Sequence, residues 1–265
     1  MTQTTGFFTD TTLCIGCKAC EVACKQWNDL PDDGLTFTGM SYDNTGELNA
    51  STWRHVKFVE RPADRQGMAS SLDGFSWLFL TDTCKHCAHA SCLEACPTGA
   101  LIRTEFGSTF IQADVCNGCG YCNAACPFGV VDKLPADGRS WKCTMCYDRQ
   151  RDGFEPACAQ TCPTGAIQFG ELDALREAAQ ARLSALHDQG VTEARLYGSD
   201  PQAQPGTGGL HNFYLLLDSP QAYGLPAEPV AWSRRASTGW RAVAAGSVLL
   251  AAVSCAAAAW GRRST

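Results

Sequence analysis

The sequence predicts an α+β chain of two cysteine-rich modules followed by one C-terminal transmembrane helix. Three observations predict it. Sixteen of the 17 cysteines fall into four groups of four. Short apolar and aromatic runs bounded by turn residues lie between and after these groups, with one segment of helical periodicity. The last apolar segment, 242–260, runs without a charge.

The groups are an internal repeat. Group one is Cys14, Cys17, Cys20 and Cys24; group two is Cys84, Cys87, Cys92 and Cys96. Group three is Cys116, Cys119, Cys122 and Cys126; group four is Cys143, Cys146, Cys158 and Cys162. The flanks repeat too. Cys96-Pro-Thr-Gly-Ala-Leu matches Cys162-Pro-Thr-Gly-Ala-Ile, and Cys126-Pro-Phe-Gly-Val-Val is a looser copy. Group one departs, with Lys25 where the proline would stand.

Between groups one and two, residues 28–51 are rich in Asp, Asn, Gly and Thr and read as loop. Residues 53–60 and 75–82 are apolar and aromatic enough for strands and pair as a hairpin. Residues 171–189 read as a helix: Leu172, Leu175, Ala179, Leu183 and Leu186 recur at helical spacing, Glu171 and Asp173 open it, and Gly190 follows. Residues 191–209 read as loop, 210–218 as a strand, and 220–229 as a proline-punctuated linker. As a helix, 242–260 spans about 28 Å, close to a bilayer core. Trp240 and Trp260 bracket it like interfacial anchors, with Arg241 at one end and Arg262 and Arg263 at the other. The competing reading is an Ala-rich amphipathic or buried helix. The resulting division is a cysteine domain over 1–218, a linker over 219–238 and a transmembrane helix over 239–261.

Composition narrows the function. The 265 residues carry 21 basic and 27 acidic side chains, a formal charge of −6. That balance lacks the basic excess of a nucleic-acid binder. Without its cysteines the apolar content is thin for this length, so metal or cross-links must hold the loops. Residues 1–12 hold no basic residue and no apolar signal core, which argues against independent export but not against export with a signal-bearing partner.

Group three reads C-x2-C-x2-C-x3-C-P, the bacterial ferredoxin run. There three cysteines bind one iron–sulfur cubane and the fourth ligates its neighbour. Gly118 and Gly120 permit the tight curl, and Pro127 turns the chain away. Zinc accepts paired C-x2-C units but does not explain four sets of four with a proline trailing three of them. A disulfide framework would call for a secreted chain. The spacing therefore points to two ferredoxin-like modules, each with two 4Fe-4S clusters.

Groups two and three are separated by a distance that suits the halves of one module. Nested pairing then gives four sets: Cys14, Cys17, Cys20 with Cys162; Cys24 with Cys143, Cys146, Cys158; Cys84, Cys87, Cys92 with Cys126; Cys96 with Cys116, Cys119, Cys122. Spacing alone also allows sequential pairing, made less attractive by the long insert at 28–83. Lys18, Lys25, Lys85 and Lys142 flank ligands and either offset cluster charge or sit in solvent. His86 and His89 read as exposed loop histidines, and Cys255 as a small hydrophobe. No nucleotide loop, nucleophilic triad or carboxylate pair is present, so the chain reads as a non-catalytic electron carrier.

The runs Cys14-Ile-Gly-Cys-Lys-Ala-Cys-Glu-Val-Ala-Cys, Cys116-Asn-Gly-Cys-Gly-Tyr-Cys and Trp141-Lys-Cys-Thr-Met-Cys-Tyr-Asp-Arg resemble the iron–sulfur β subunits of molybdopterin oxidoreductases. The membrane-bound formate dehydrogenase type is most similar, through Glu155-Pro-Ala-Cys, Thr161-Cys-Pro-Thr-Gly-Ala-Ile and Tyr223-Gly-Leu-Pro. The resemblance implies the nested ligation. It also implies a catalytic α subunit with a molybdenum or tungsten pterin cofactor that oxidises formate, and a membrane γ subunit with b haem. The chain would relay electrons between them and dock in the bilayer by a single-pass span. It would lie on the periplasmic face if a twin-arginine partner exports it, otherwise on the cytoplasmic face. Alternatives keep the relay but serve a hydrogenase or a nitrate, dimethyl sulfoxide or polysulfide reductase. Others are a free ferredoxin and a zinc- or disulfide-stabilised interaction protein.

Overall fold

A four-stranded sheet ties the two ends of the cysteine domain together. It is seen in a computed structural model that describes residues 3–34, 36–40, 42–62 and 75–261. Strand β1 (Thr5–Asp10) pairs parallel to β10 (Asn212–Leu216) and antiparallel to β8 (Ile167–Glu171). Strand β9 (Arg195–Tyr197) completes the order β8-β1-β10-β9. Successive side chains of a strand point to opposite faces. Phe8 thus stacks on Phe213 at 5.4 Å in one core, while Phe7 meets Phe169 at 5.5 Å in another.

Helix α6 (Leu172–Asp188) covers the first face, burying Leu172, Leu175, Ala179 and Leu186. The Glu171 carboxylate caps it by accepting from the Ala174 N–H at 2.8 Å. The hairpin of β2 (Arg54–Pro62) and β3 (Phe75–Thr83) lies between the two cores. Leu78 and Leu80 enter the α6 core, while Val56, Phe58 and Phe79 enter the other, as period-two alternation requires.

The cysteine groups ride on short helices. These are α1 (Ala19–Trp27), α2 (Ser91–Glu94), α3 (Tyr121–Ala125), α4 (Tyr147–Arg151) and α5 (Ala157–Gln160). Two small hairpins space them: β4 (Leu101–Arg103) with β5 (Thr109–Ile111), and β6 (Asp132–Lys133) with β7 (Ser140–Trp141). Residues 220–223 form a 3-10 turn, and helix α7 (Trp232–Gly261) follows.

The C-terminal segment corrects the expected architecture and the expected single-pass membrane location. It is helical, and α7 begins earlier than the expected span. Yet among the described residues no helix is long and apolar enough to cross a membrane. Alanine dominates residues 242–260, and only Val243, Val248, Leu249, Leu250 and Val253 are strongly apolar. Transfer to hydrocarbon is driven by Leu, Ile, Phe and Val. Expectations for the side chains of Arg241, Cys255, Trp260, Arg262 and Arg263 lie outside the described residues.

Candidate iron–sulfur cluster sites

Each cysteine group begins with the same backbone device. The residue before its second cysteine has positive φ: Gly16 at 69°, His86 at 43°, Gly118 at 70° and Met145 at 59°. A left-handed residue here turns consecutive N–H groups inward and wraps the first two cysteines around one point. The third cysteine then lies on a helix: Cys20 on α1, Cys92 on α2, Cys122 on α3 and Cys158 on α5. The fourth follows four residues later, still on α1 at Cys24 and just past the ends of α2, α3 and α5 at Cys96, Cys126 and Cys162.

Four sets result. Cys24, Cys143, Cys146 and Cys158 line one cavity with Phe7, Trp53 and Arg54. Cys84, Cys87, Cys92 and Cys126 line a second with Phe128, Val130 and Val131. Cys96, Cys116, Cys119 and Cys122 line a third with Leu101 and Ile111. The charges of Cys20, Cys162 and Cys17 act on Cys14, so group one meets Cys162. The three cavity linings and this contact bring together cysteines that the nested reading groups.

The residues fit 4Fe-4S clusters. All sixteen group cysteines are free thiols, and no carboxylate lines any of the three cavities. Soft thiolates suit iron–sulfur chemistry. Among the described residues no three His, Cys, Asp or Glu side chains converge on a single-ion position; the thiols ring a space instead.

Electrostatics separates the ligands into two kinds. Burial pushes the Cys92 and Cys146 thiols up to about 12 and those of Cys14 and Cys158 to about 11. Binding metal at such sites must displace protons. Cys96 and Cys162 behave oppositely. Burial again works upward, but backbone N–H groups of residues 98, 100 and 101, and of 164, 166 and 167, outweigh it and hold both thiols below their ordinary value. The repeated Thr adds a hydroxyl at each, Thr98 at 3.6 Å and Thr164 at 3.8 Å from sulfur. The looser third copy has Phe128 there, and burial holds the Cys126 thiol up.

The sets form a sequence in space. Cys14, Cys20 and Cys162 pack in one apolar cluster with Cys158. Cys24 and Cys143 pack in another with Cys84 and Cys126, around Trp53, whose ring stacks 6.3 Å from Trp141. Cys87, Cys92 and Cys126 pack in a third with Cys96, Cys116 and Cys122. Cys17 and Cys119, in the first and last sets, are exposed; the two middle sets hold no exposed cysteine.

The flanking cations divide. Lys85 and Lys142 are buried, whereas Lys18 and Lys25 are partly exposed and paired with Asp43 and Asp33. Lys85 pairs with Asp82; Lys142 Nζ donates to the Thr109 carbonyl at 2.5 Å and the Cys143 carbonyl at 3.0 Å. His86 is not exposed but buried, and its Nδ1 accepts from the Thr109 N–H at 3.1 Å. Sequence reasoning missed Arg54, which reaches the cavity of the Cys24 set from β2 and carries no motif.

Two models of a 4Fe-4S dicluster domain match the chain, over residues 13–100 and 75–172. The formate dehydrogenase iron–sulfur subunit of Haemophilus influenzae is 43% identical over 224 residues, 83% of this chain and 68% of that one. The formate dehydrogenase-O iron–sulfur subunit of Escherichia coli is also 43% identical, over 83% of this chain and 70% of its own. The B subunit of the anaerobic dimethyl sulfoxide reductase of Escherichia coli is 35% identical over 67% of this chain and 78% of its own.

Proposed function

We propose a function on one premise: the chain belongs to the family of formate dehydrogenase iron–sulfur subunits. It is a non-catalytic electron-transfer subunit of a molybdopterin oxidoreductase and carries four 4Fe-4S clusters. Each cluster supplies one-electron acceptance and release. The chain's own residues hold the clusters, exclude water and set the potentials.

The finer reading has three parts. The four nested cysteine sets are the four cluster ligand sets, within a cysteine domain over 1–218. The catalytic partner oxidises formate. The acceptor is a membrane cytochrome b-type subunit. One observation carries the relay: the sets follow one another through shared apolar packing, and exposed cysteines occur only in the first and last. Such an order lets electrons enter at one end and leave at the other while the middle stays shielded.

Formate added to the purified complex is expected to bleach the visible absorbance of the clusters. The similarity to a dimethyl sulfoxide reductase subunit supports a second reading, in which electrons flow towards the catalytic partner. Clusters that ignore formate but, once reduced, are reoxidised by dimethyl sulfoxide would select it.

A further inference from the structure

Arg54 opens β2 and is 1% exposed. Burying a guanidinium without a counter-charge is strongly unfavourable. Nη1 donates to the Thr81 hydroxyl at 3.0 Å. That hydroxyl lies 3.4 Å from Cys20 Sγ, a cysteine of the first set. The guanidinium also rests over Phe7, 5.1 Å from the ring centroid, and lines the cavity of the second set. Nη2 is buried with no hydrogen-bond partner among the described residues. One buried cation therefore faces two cysteine sets at once.

A cluster held by four thiolates is anionic and gains a further negative charge on reduction. A fixed cation favours the reduced form and raises the potential. Lys85 faces the third set differently, because Asp82 largely neutralises it. We propose that Arg54 is a shared redox-tuning residue. Its charge raises the potentials of the clusters on the Cys14, Cys17, Cys20, Cys162 set and the Cys24, Cys143, Cys146, Cys158 set together, and leaves the other two alone. The assignment rests on the ligand sets proposed above.

The test is a redox titration of the full chain with its clusters, followed by electron paramagnetic resonance and paired with iron analysis. Arg54→Gln shifts two of the four midpoint potentials to more negative values and leaves two in place, at about sixteen iron per chain. Arg54→Lys keeps all four near the starting values. Four unshifted potentials in a fully loaded Arg54→Gln chain, or a common shift of all four, overturns the proposal. If Arg54→Gln loses iron, Thr81→Val decides. It keeps the guanidinium and removes the hydroxyl between it and Cys20, so one cluster must shift to more negative potential, and none shifting overturns the tuning. An iron content far from sixteen in the unmutated chain overturns the ligand sets themselves.

Discussion

The residue before the second cysteine of each group sets the local curl, and the four solutions differ in chemistry. Glycine meets the left-handed turn without strain at positions 16 and 118, whereas His86 and Met145 adopt it as buried side chains. At Gly118 there is no room for more. A Cβ would run into the Gly138 carbonyl oxygen, and φ would be strained as well. Gly118→Ala is therefore expected to remove the cluster on Cys96, Cys116, Cys119 and Cys122 and spare the others. Iron analysis would fall from about sixteen towards about twelve per chain. Retention of the full complement would show that the turn tolerates a side chain.

His211, just before β10, makes a second prediction at this scale. Burial, with the charges of Arg103 and Arg176, pushes its imidazole down to about 4. The unfolded value is about 6.5. Between these pH values the unfolded chain binds a proton that the folded chain refuses, so stability falls as pH falls through the window. The loss is on the order of 3 kcal/mol by pH 4. His211→Gln is expected to flatten the dependence of the thermal midpoint on pH between about 6.5 and 4. An unchanged slope would place the acid sensitivity elsewhere.

Among the elements, the β2–β3 hairpin joins the clusters to the core through a buried charge network. Asp82, near the end of β3, pairs with Lys85 and with Lys57 at 3.1 Å, and accepts from the Tyr214 hydroxyl at 3.2 Å. Burial alone would raise its carboxyl, but the two lysines hold it down at about 2. Asp82→Asn leaves Lys85 buried beside Cys84 without its counter-charge. That costs about 3–5 kcal/mol, to be read as a lower denaturant midpoint.

The hairpin and α6 were legible in sequence because each is long enough to show its period. Leu78 and Leu80 alternate with Phe79 and Thr81, and Leu172, Leu175, Ala179 and Leu186 keep helical spacing. Strands β1 and β9 were not legible. The apolar signal in β1 is only Phe7-Phe8, and its partners β8 and β10 lie far along the chain. Residues 195–197 gain their strand state only by pairing with 214–216. Long-range pairing of this kind overrides local propensity.

For the whole molecule, the four-stranded sheet is the organising element. The sheet holds the beginning of the chain against residues 167–171 and 212–216, so the cysteines at 14–24 meet those at 143–162. The cysteine chemistry of the sites was readable from spacing, which left nested and sequential grouping both open. What joins the sets was not. Trp53 and the buried Arg54 matter through three-dimensional position, and nothing in their neighbours marks them. The C-terminal helix shows the opposite failure. Its length and flanking tryptophans resemble a span, yet among the described residues no helix is long and apolar enough to cross a membrane.

The central claim is that sixteen cysteines hold four cubanes in a relay, and joint analysis of iron and acid-labile sulfide on the purified chain tests it most directly. About sixteen of each per chain are expected. Zinc in place of iron, with no labile sulfide, would contradict the claim.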